Sequence, residues 1–189
     1  MGALREAARS HSATPSVDTT AHKDHNVVHM RKSLLLVSLL PLFVFADATE
    51  RSPDFTRVDA SGHKVRLSKY KGKVVLVDFC ATWCTGCKEE IAWYVEFADK
   101  YRKSGLAAVG VAMDDDGWKV VKPFLAEKMK ITYPVVIGDT SLAQQFGGIN
   151  SLPLTLLIDR QGRIAYSHAG VVDKAEFEGR IQELLARAR

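Results

Sequence analysis

The chain has 189 residues, enough for one domain of ordinary size with a targeting segment, and this length excludes a large multidomain enzyme. Apolar residues make up 47% and charged residues 25% of the sequence, which excludes a disordered chain and a multi-spanning membrane protein. The formal net charge is +4 and the basic residues form no continuous stripe, so nucleic acid is not indicated as a partner.

The N-terminal part of the sequence has the order of a secretory signal. Met30 is followed by a basic pair at residues 31–32, a mostly apolar stretch at residues 34–45 and an Ala-x-Ala cleavage site at residues 46–48. The apolar stretch has about 12 residues, whereas a helix that crosses a bilayer needs about 20. The sequence therefore predicts export, with a permanent membrane anchor as the weaker interpretation.

These features divide the chain into three parts. Residues 1–29 show neither periodicity nor an apolar run, and we predict a mis-assigned or disordered extension. Residues 30–48 are predicted to be a signal peptide, which would attach the protein to a membrane only if it stayed uncleaved. Residues 49–189 are predicted to form one exported domain, located in the periplasm or elsewhere outside the cytoplasm, where conditions favour disulfides.

The first half of this domain predicts a hairpin, a strand and a helix. Short extended runs at residues 55–58 and 64–67 flank a turn, which is typical of a hairpin. The β-branched and apolar residues 74–77 predict a central strand that is covered on both faces. A helix follows, with acidic residues early, basic residues late and Gly105 at its C-terminal end. Its predicted buried face consists of Ile91, Tyr94, Val95, Ala98 and Tyr101.

The second half continues the alternation. It predicts a strand at 106–112, a helix at 118–129, a short strand at 134–137, helical turns at 142–146, a hairpin of 154–158 with 164–168, and a final helix that buries Phe177, Ile181, Leu184 and Leu185. Pro123 is expected in the first turn of its helix or at a kink. Asp173 and Glu176 have the spacing of a capping box. This order predicts an α/β layered sheet with a parallel βαβ crossover.

The three cysteines lie within one short segment, so a framework of several disulfides is excluded. Cys84 and Cys87 are separated by two residues, where the predicted central strand leads into the first helix. The free N–H groups and the positive dipole end of a helix start stabilise a thiolate and lower a cysteine pKa. We predict that Cys84 is a nucleophile and that Cys87, one turn deeper, is the resolving thiol of a pair that exchanges two electrons.

The segment VLVDFCATWCTGC at residues 75–87, together with SLPLTLLID at residues 151–159, resembles the thioredoxin fold, specifically the exported TlpA/ResA-like thiol-disulfide oxidoreductases. The resemblance extends from about Pro53 to Leu185. It implies a thioredoxin-like α/β fold with a central mixed sheet flanked by helices and an N-terminal β-hairpin. It also implies no cofactor, oxidised exported proteins such as cytochrome c apoproteins as substrates, and a membrane thiol transporter as electron donor. The chain lacks room for the helical insertion of periplasmic oxidases, so reduction is favoured over oxidation.

The same resemblance implies roles for four further residues. Trp83 matches the aromatic residue that shields the cysteine pair and contacts substrate. Leu152 and Pro153 match the cis-proline site, where an incoming peptide would pair like an added strand. Asp78 aligns with a buried acid of thioredoxins; burial would raise its pKa, so it could accept a proton from Cys87.

Several positions depart from the family or are interpreted as structural. Gly86 stands where the family commonly has proline, and Cys80 replaces a tryptophan, so the direction of electron flow is inferred less directly than the chemistry. Cys80 is interpreted as a packing residue, with a third redox thiol as the alternative. Residues 114–116 are expected to form a solvated turn that caps a helix, with Asp115 as the counterpart of a functional glutamate of the family, and His168 is expected on the surface.

Other functions fit these residues less well. The three cysteines also have the spacing that holds an iron–sulfur cluster in radical-SAM enzymes, but those enzymes need a much larger partial barrel than this chain can form. A structural zinc site would need a fourth ligand, and the exported domain offers only His63 and His168. An inert disulfide would close too short a loop to stabilise the fold much. A thiol peroxidase would have threonine or serine where Ala81 stands. That activity and a peptide-binding module without turnover remain the alternatives.

Overall fold

The computed structural model describes residues 50–127 and 129–187. The predicted extension at residues 1–29 and the predicted signal peptide at residues 30–48 lie outside the described residues, and both stay predictions. In the described part of the chain, no helix combines the length and the apolar character that crossing a membrane requires.

Strands and helices alternate along the described residues, as the sequence predicts. In chain order they are β1 (Thr56–Val58), β2 (Lys64–Arg66), β3 (Val74–Cys80), α1 (Thr85–Tyr101), β4 (Leu106–Ala112), α2 (Trp118–Glu127), β5 (Val135–Ile137), α3 (Thr140–Gln145), β6 (Leu154–Ile158), β7 (Ile164–Ala169) and α4 (Lys174–Ala186). Short 3₁₀ turns follow β2 and α1.

Five of these strands form one mixed sheet in the order β5-β4-β3-β6-β7. β3 is parallel to β4 and antiparallel to β6, and β4 is parallel to β5. β1 and β2 form a separate antiparallel hairpin, in which Thr56 is opposite Arg66. The structure therefore confirms the thioredoxin-like α/β fold with a central mixed sheet and an N-terminal hairpin.

The central strand β3 is buried along its whole length, as expected for a strand covered on both faces. Because side chains alternate between the faces of a strand, Val75, Val77 and Phe79 belong to one side of the sheet. Val74 and Leu76 pack on the other side, in the core formed with α1 and α4. Asp78 stands two residues after Leu76, so its side chain is on the same face of the sheet as Val74 and Leu76. Its carboxyl group therefore lies on the α1 side.

Two helices differ in detail from the prediction. In α1, Phe97 is fully buried, whereas Val95, assigned to the core face, is only half-buried. Pro123 lies in the interior of α2, which excludes the first of its two predicted placements, the first turn, and leaves a kink as the prediction. α2 begins at Trp118, which makes Pro123 the sixth helical residue, and its ring is exposed to solvent, where it displaces no core side chain.

The terminal helix begins as predicted. The Asp173 carboxylate accepts a hydrogen bond of 2.8 Å from the backbone N–H of Glu176, which caps the first turn of α4. Phe177, Ile181 and Leu184 are buried, and Phe177 lies against the ring of Tyr94 in α1 with 5.4 Å between ring centroids. This packing fixes α1, and with it the cysteine pair, against the sheet.

Candidate active site

The cysteine pair lies at the N-terminus of α1, just beyond the end of β3. Cys84 is the N-cap residue and Cys87 lies in the first turn, and their sulfurs form a disulfide with a Cα–Cα distance of 5.3 Å. The sulfur of Cys84 accepts a hydrogen bond of 3.2 Å from the backbone N–H of Cys87. A helix N-terminus favours negative charge, so this arrangement stabilises a thiolate on Cys84 once the pair is reduced.

The two cysteines differ in their access to solvent. Cys84 keeps 6% of its surface exposed and Cys87 keeps none. The neighbouring Trp83 is 68% exposed. A partner protein therefore meets Cys84 first, and Trp83 offers an apolar surface beside it instead of covering the pair.

The Leu152–Pro153 segment lies against the same turn of α1. Its peptide bond is cis, and Leu152 packs against the cluster that contains both cysteines. A Cβ atom added to Gly86 would lie 3.7 Å from Cδ of Pro153 and 2.6 Å from Cγ2 of Val171. The space that a side chain at position 86 would fill is therefore occupied by Val171, which explains why this chain carries glycine there.

Asp78 is buried beneath the first helix, with 1% of its surface exposed. Neither of its carboxyl oxygens has a hydrogen-bond partner among the described residues. Burial, together with the negative charge of Glu90, raises the pKa of Asp78 from 3.8 to about 8. The direction agrees with the sequence prediction, and the value places the group close to the pKa that a proton acceptor needs near neutral pH.

Glu90 is one of the acidic residues early in α1, and the structure places it in the core. Glu90 is fully buried, and its carboxylate accepts a hydrogen bond of 2.7 Å from the backbone N–H of Val172. Burial raises its pKa, and the bond from Val172 opposes that rise. The spacing in the sequence could have indicated this burial. Glu90 stands three residues after Cys87 and four before Tyr94, so all three residues lie on the same, buried face of the helix.

The expectation of a solvated turn at residues 114–116 is wrong for Asp114. This residue is 5% exposed, and its carboxylate accepts hydrogen bonds from the backbone N–H of Thr82 at 3.1 Å and from its hydroxyl group at 2.6 Å. Asp114 follows β4 as Thr82 follows β3, and parallel strands bring both ends to one sheet edge. Asp114 thus holds the loop that precedes Cys84, whereas Asp115 is exposed.

The third cysteine is free and buried at the end of β3. Burial and the neighbouring charge of Asp78 raise the pKa of the Cys80 thiol well above its ordinary value, which disfavours the reactive thiolate. This agrees with a packing role.

His168 is half-buried and stacks on Tyr166. No group of three metal-ligating side chains occurs among residues 50–127 and 129–187.

Comparison with known proteins gives consistent matches. A model of the AhpC/TSA family matches residues 48–167. The thiol-disulfide oxidoreductase ResA of Geobacillus kaustophilus (strain HTA426) is 32% identical over 133 residues, which cover 70% of this chain and 75% of that protein. Two solved structures of thiol:disulfide interchange proteins from Chlorobium tepidum are 29% identical, with TM-scores of 0.69 and 0.66, and cover 73% of this chain and 97% of theirs. The pneumococcal exposed lipoprotein thioredoxin (Etrx1) of Streptococcus pneumoniae strain TIGR4 is 25% identical with a TM-score of 0.63, over 70% of this chain and all of that one.

Proposed function

Since the chain belongs to the AhpC/TSA family and is a thioredoxin-fold thiol-disulfide oxidoreductase, we propose that it reduces disulfide bonds of exported proteins outside the cytoplasm. The observation that carries the proposal is the Cys84 sulfur at the N-terminus of α1, joined to a fully buried Cys87. This geometry supplies an accessible nucleophile and a protected second thiol, which are the two groups that reduction of a disulfide requires.

The reaction proceeds in two exchanges. The Cys84 thiolate attacks one sulfur of the partner's disulfide, which forms a mixed disulfide and releases the other partner sulfur as a thiolate. Cys87 then loses its proton and attacks the Cys84 sulfur, which breaks the mixed disulfide. The partner leaves with two thiols after taking up protons, and Cys84 and Cys87 are joined. The partner gains the two electrons that the cysteine pair loses.

Asp78 is the proposed acceptor of the Cys87 proton. It lies on the α1 face of β3, and Glu90, three residues after Cys87, is close enough for its charge to raise the pKa of Asp78. A carboxylate that is protonated and deprotonated near neutral pH can take the proton as Cys87 attacks and return it in the reverse reaction. Asp78 therefore acts in resolution and not in the first attack.

Trp83, Leu152 and Pro153 form the proposed binding surface for the partner. Trp83 directly precedes Cys84 and is exposed, and Leu152 packs against the cluster that contains both cysteines. An extended peptide that pairs with the backbone before β6 would bring its cystine to Cys84. Affinity would then come from main-chain hydrogen bonds and apolar contacts, which suits a protein that meets several partners.

The location and the partners are part of the same proposal. The order of a basic pair, an apolar stretch and an Ala-x-Ala site at residues 30–48 supports a signal peptide and export, and so does the likeness to an exposed lipoprotein thioredoxin. In a cell with two membranes the compartment would be the periplasm. Oxidised cytochrome c apoproteins during their maturation are the proposed substrate class, with a membrane thiol transporter as the source of electrons.

The direction of electron flow is tested by the midpoint potential of the Cys84–Cys87 pair, titrated against glutathione. A protein that reduces its partners is expected to have a potential near thioredoxin's value of about −270 mV. A value near that of strong oxidants, about −120 mV, would contradict the proposed direction. The variant Cys80→Ser is the control, because a buried packing thiol should leave the potential of the pair unchanged.

Replacing Asp78 by asparagine is expected to slow resolution by about a hundredfold while slowing the first attack by less than about threefold, because only resolution uses the proton acceptor. Asparagine keeps the size of the side chain but cannot take a proton. Rapid quenching followed by mass analysis of the mixed disulfide separates the two steps. Equal slowing of both steps would contradict this role for Asp78.

The stability of the same variant supplies its control. Folding raises the pKa of Asp78 from 3.8 to about 8. The free energy of unfolding of the wild type therefore falls as the pH rises from about 4 through about 8, because the folded protein holds this proton more tightly than the unfolded chain. Asp78→Asn does not ionise and should keep that stability. Urea unfolding should show that the free energy of unfolding of the variant, relative to that of the wild type, is higher at pH 9 than at pH 6. A variant that unfolds cooperatively in this way is folded, so its slow resolution does not result from misfolding.

A further inference from the structure

A small cavity lies beside Asp78, on the α1 side of the central sheet. Its lining includes Asp78, Cys80, Gly110, Asp114 and Tyr133, and it offers about 10 Å³ of room for the centre of a water molecule. A single buried water needs roughly 10 to 15 Å³ measured in this way. The cavity therefore has the size of one water site.

Three buried polar atoms in this lining have no hydrogen-bond partner within the described ranges. They are the two carboxyl oxygens of Asp78 and the hydroxyl oxygen of Tyr133. Both side chains are more than nine-tenths buried, with 1% and 8% of their surfaces exposed. Buried polar groups in folded proteins are satisfied by protein atoms or by ordered water, and a buried water commonly bridges two to four of them.

A glycine on the neighbouring strand brings the tyrosine to this place. Gly110 of β4 is paired in parallel register with Asp78 of β3, so both positions face the same side of the sheet. A Cβ atom at position 110 would lie 3.4 Å from the Tyr133 ring and 3.2 Å from Val135. Tyr133 and Val135 therefore pack against Gly110, on the side of the sheet that carries Asp78.

We propose that Tyr133 is a positioning residue for Asp78, and that its hydroxyl group and the Asp78 carboxyl group share one water molecule bound in this cavity. The proposal rests on the proposed function, in which Asp78 accepts the Cys87 proton. The water donates a hydrogen bond to the carboxylate and accepts one from the tyrosine hydroxyl. It thereby stabilises the charged form of Asp78 and keeps a proton acceptor available beneath α1.

Among the other titratable groups that face Asp78, the Cys80 thiol lowers the Asp78 pKa, but a thiol is a weaker donor than a hydroxyl group. Cys80 lies on the same strand, Glu90 and Tyr94 lie on α1, and Asp114 follows β4. Each of these four groups is neutral or negative, so none supplies a positive charge to the Asp78 carboxylate. The hydroxyl of Tyr94 is paired at 2.9 Å with the hydroxyl of Thr155, and the hydroxyl of Thr82 donates to Asp114. Tyr133 therefore carries the hydroxyl group of the cavity lining that has no partner among the described residues.

The test compares Tyr133→Phe, which removes only the hydroxyl group, with Tyr166→Phe, which removes one from the far hairpin strand β7. The pKa of Asp78 is followed by the chemical shift of its labelled carboxyl carbon, with Asp78→Asn to assign the signal. Tyr133→Phe should raise this pKa by about half a unit to one unit, because a hydrogen bond to the charged form is lost. The rising limb of the pH profile of resolution should move upward by the same amount, and Tyr166→Phe should change neither.

A high-resolution crystal structure of the wild type provides a measurement that needs no variant. It should show a water within hydrogen-bond distance of both Asp78 and Tyr133. A dry cavity, or an Asp78 pKa that Tyr133→Phe leaves unchanged, would overturn the proposal. The bound water and the Asp78 pKa are both measured without turnover. A wild type that does not exchange disulfides would refute the proposed function alone. An active Tyr133→Phe variant in which Asp78 has the wild-type pKa would refute this inference alone.

Discussion

Cys84→Ser is expected to lose disulfide exchange by at least about a thousandfold while it still binds oxidised partners, because a serine hydroxyl is a poor nucleophile at neutral pH and is similar in size. The change removes the sulfur that caps α1 but leaves Trp83, Leu152 and Pro153 in place. Exchange is measured by counting the thiols released from an oxidised substrate, and binding is measured by calorimetry with the same substrate.

Two comparisons make this result decisive. Cys80→Ser changes the buried thiol at the end of β3 and should retain exchange, since Cys80 lies outside the disulfide. If Cys84→Ser exchanged disulfides at the wild-type rate, Cys84 would not be the attacking nucleophile. If the wild type bound partners but released no thiols, the chain would instead be a binding module that uses the surface around Pro153.

Cys87→Ser is expected to retain the first attack and to stop at the mixed disulfide, so that turnover is lost and a covalent complex accumulates. Cys87 is fully buried and bonded to the Cys84 sulfur, and the remaining thiol, Cys80, has a raised pKa that disfavours the thiolate needed to replace it. Loss of turnover should again be at least about a thousandfold, because the step that releases the partner is missing. The complex is measured by gel electrophoresis without reductant and by intact mass.

The double variant Cys84→Ser with Cys87→Ser is the matched control for trapping. It keeps the shape of the site but has no attacking sulfur, so no covalent complex should form. Complexes that formed equally in the double variant would come from elsewhere in the chain. Normal turnover by Cys87→Ser would show that another group resolves the mixed disulfide.

The strands of the sheet could be predicted from the sequence because their patterns are local. Residues 106–112 and 154–158 are apolar runs bounded by turn residues, and β4 and β6 have these same bounds. The cysteine pair could be placed at a helix start for the same reason, since the strand, the motif and the helix are contiguous. Local order was sufficient for the fold class and for the two sulfurs.

The burial of two other acids, Glu90 and Asp114, could not be predicted in this way, because their surroundings come from distant parts of the chain. Glu90 is held by the backbone of Val172 and Asp114 by Thr82, contacts that span 82 and 32 residues. A glutamate in the first turns of a helix and an aspartate before a helix both have ordinary explanations at the surface. Tyr133 was missed for a related reason, since its ring packs against Gly110, which is paired with Asp78 across two strands that are distant in sequence.

The central claim is that the sulfur of Cys84 makes the bond to the partner and that Cys87 breaks it. The most direct measurement is peptide mapping by mass spectrometry of the complex that Cys87→Ser forms with an oxidised substrate protein. The account predicts a substrate cysteine joined to Cys84. A substrate cysteine joined to Cys80, or no covalent complex at all, would contradict it.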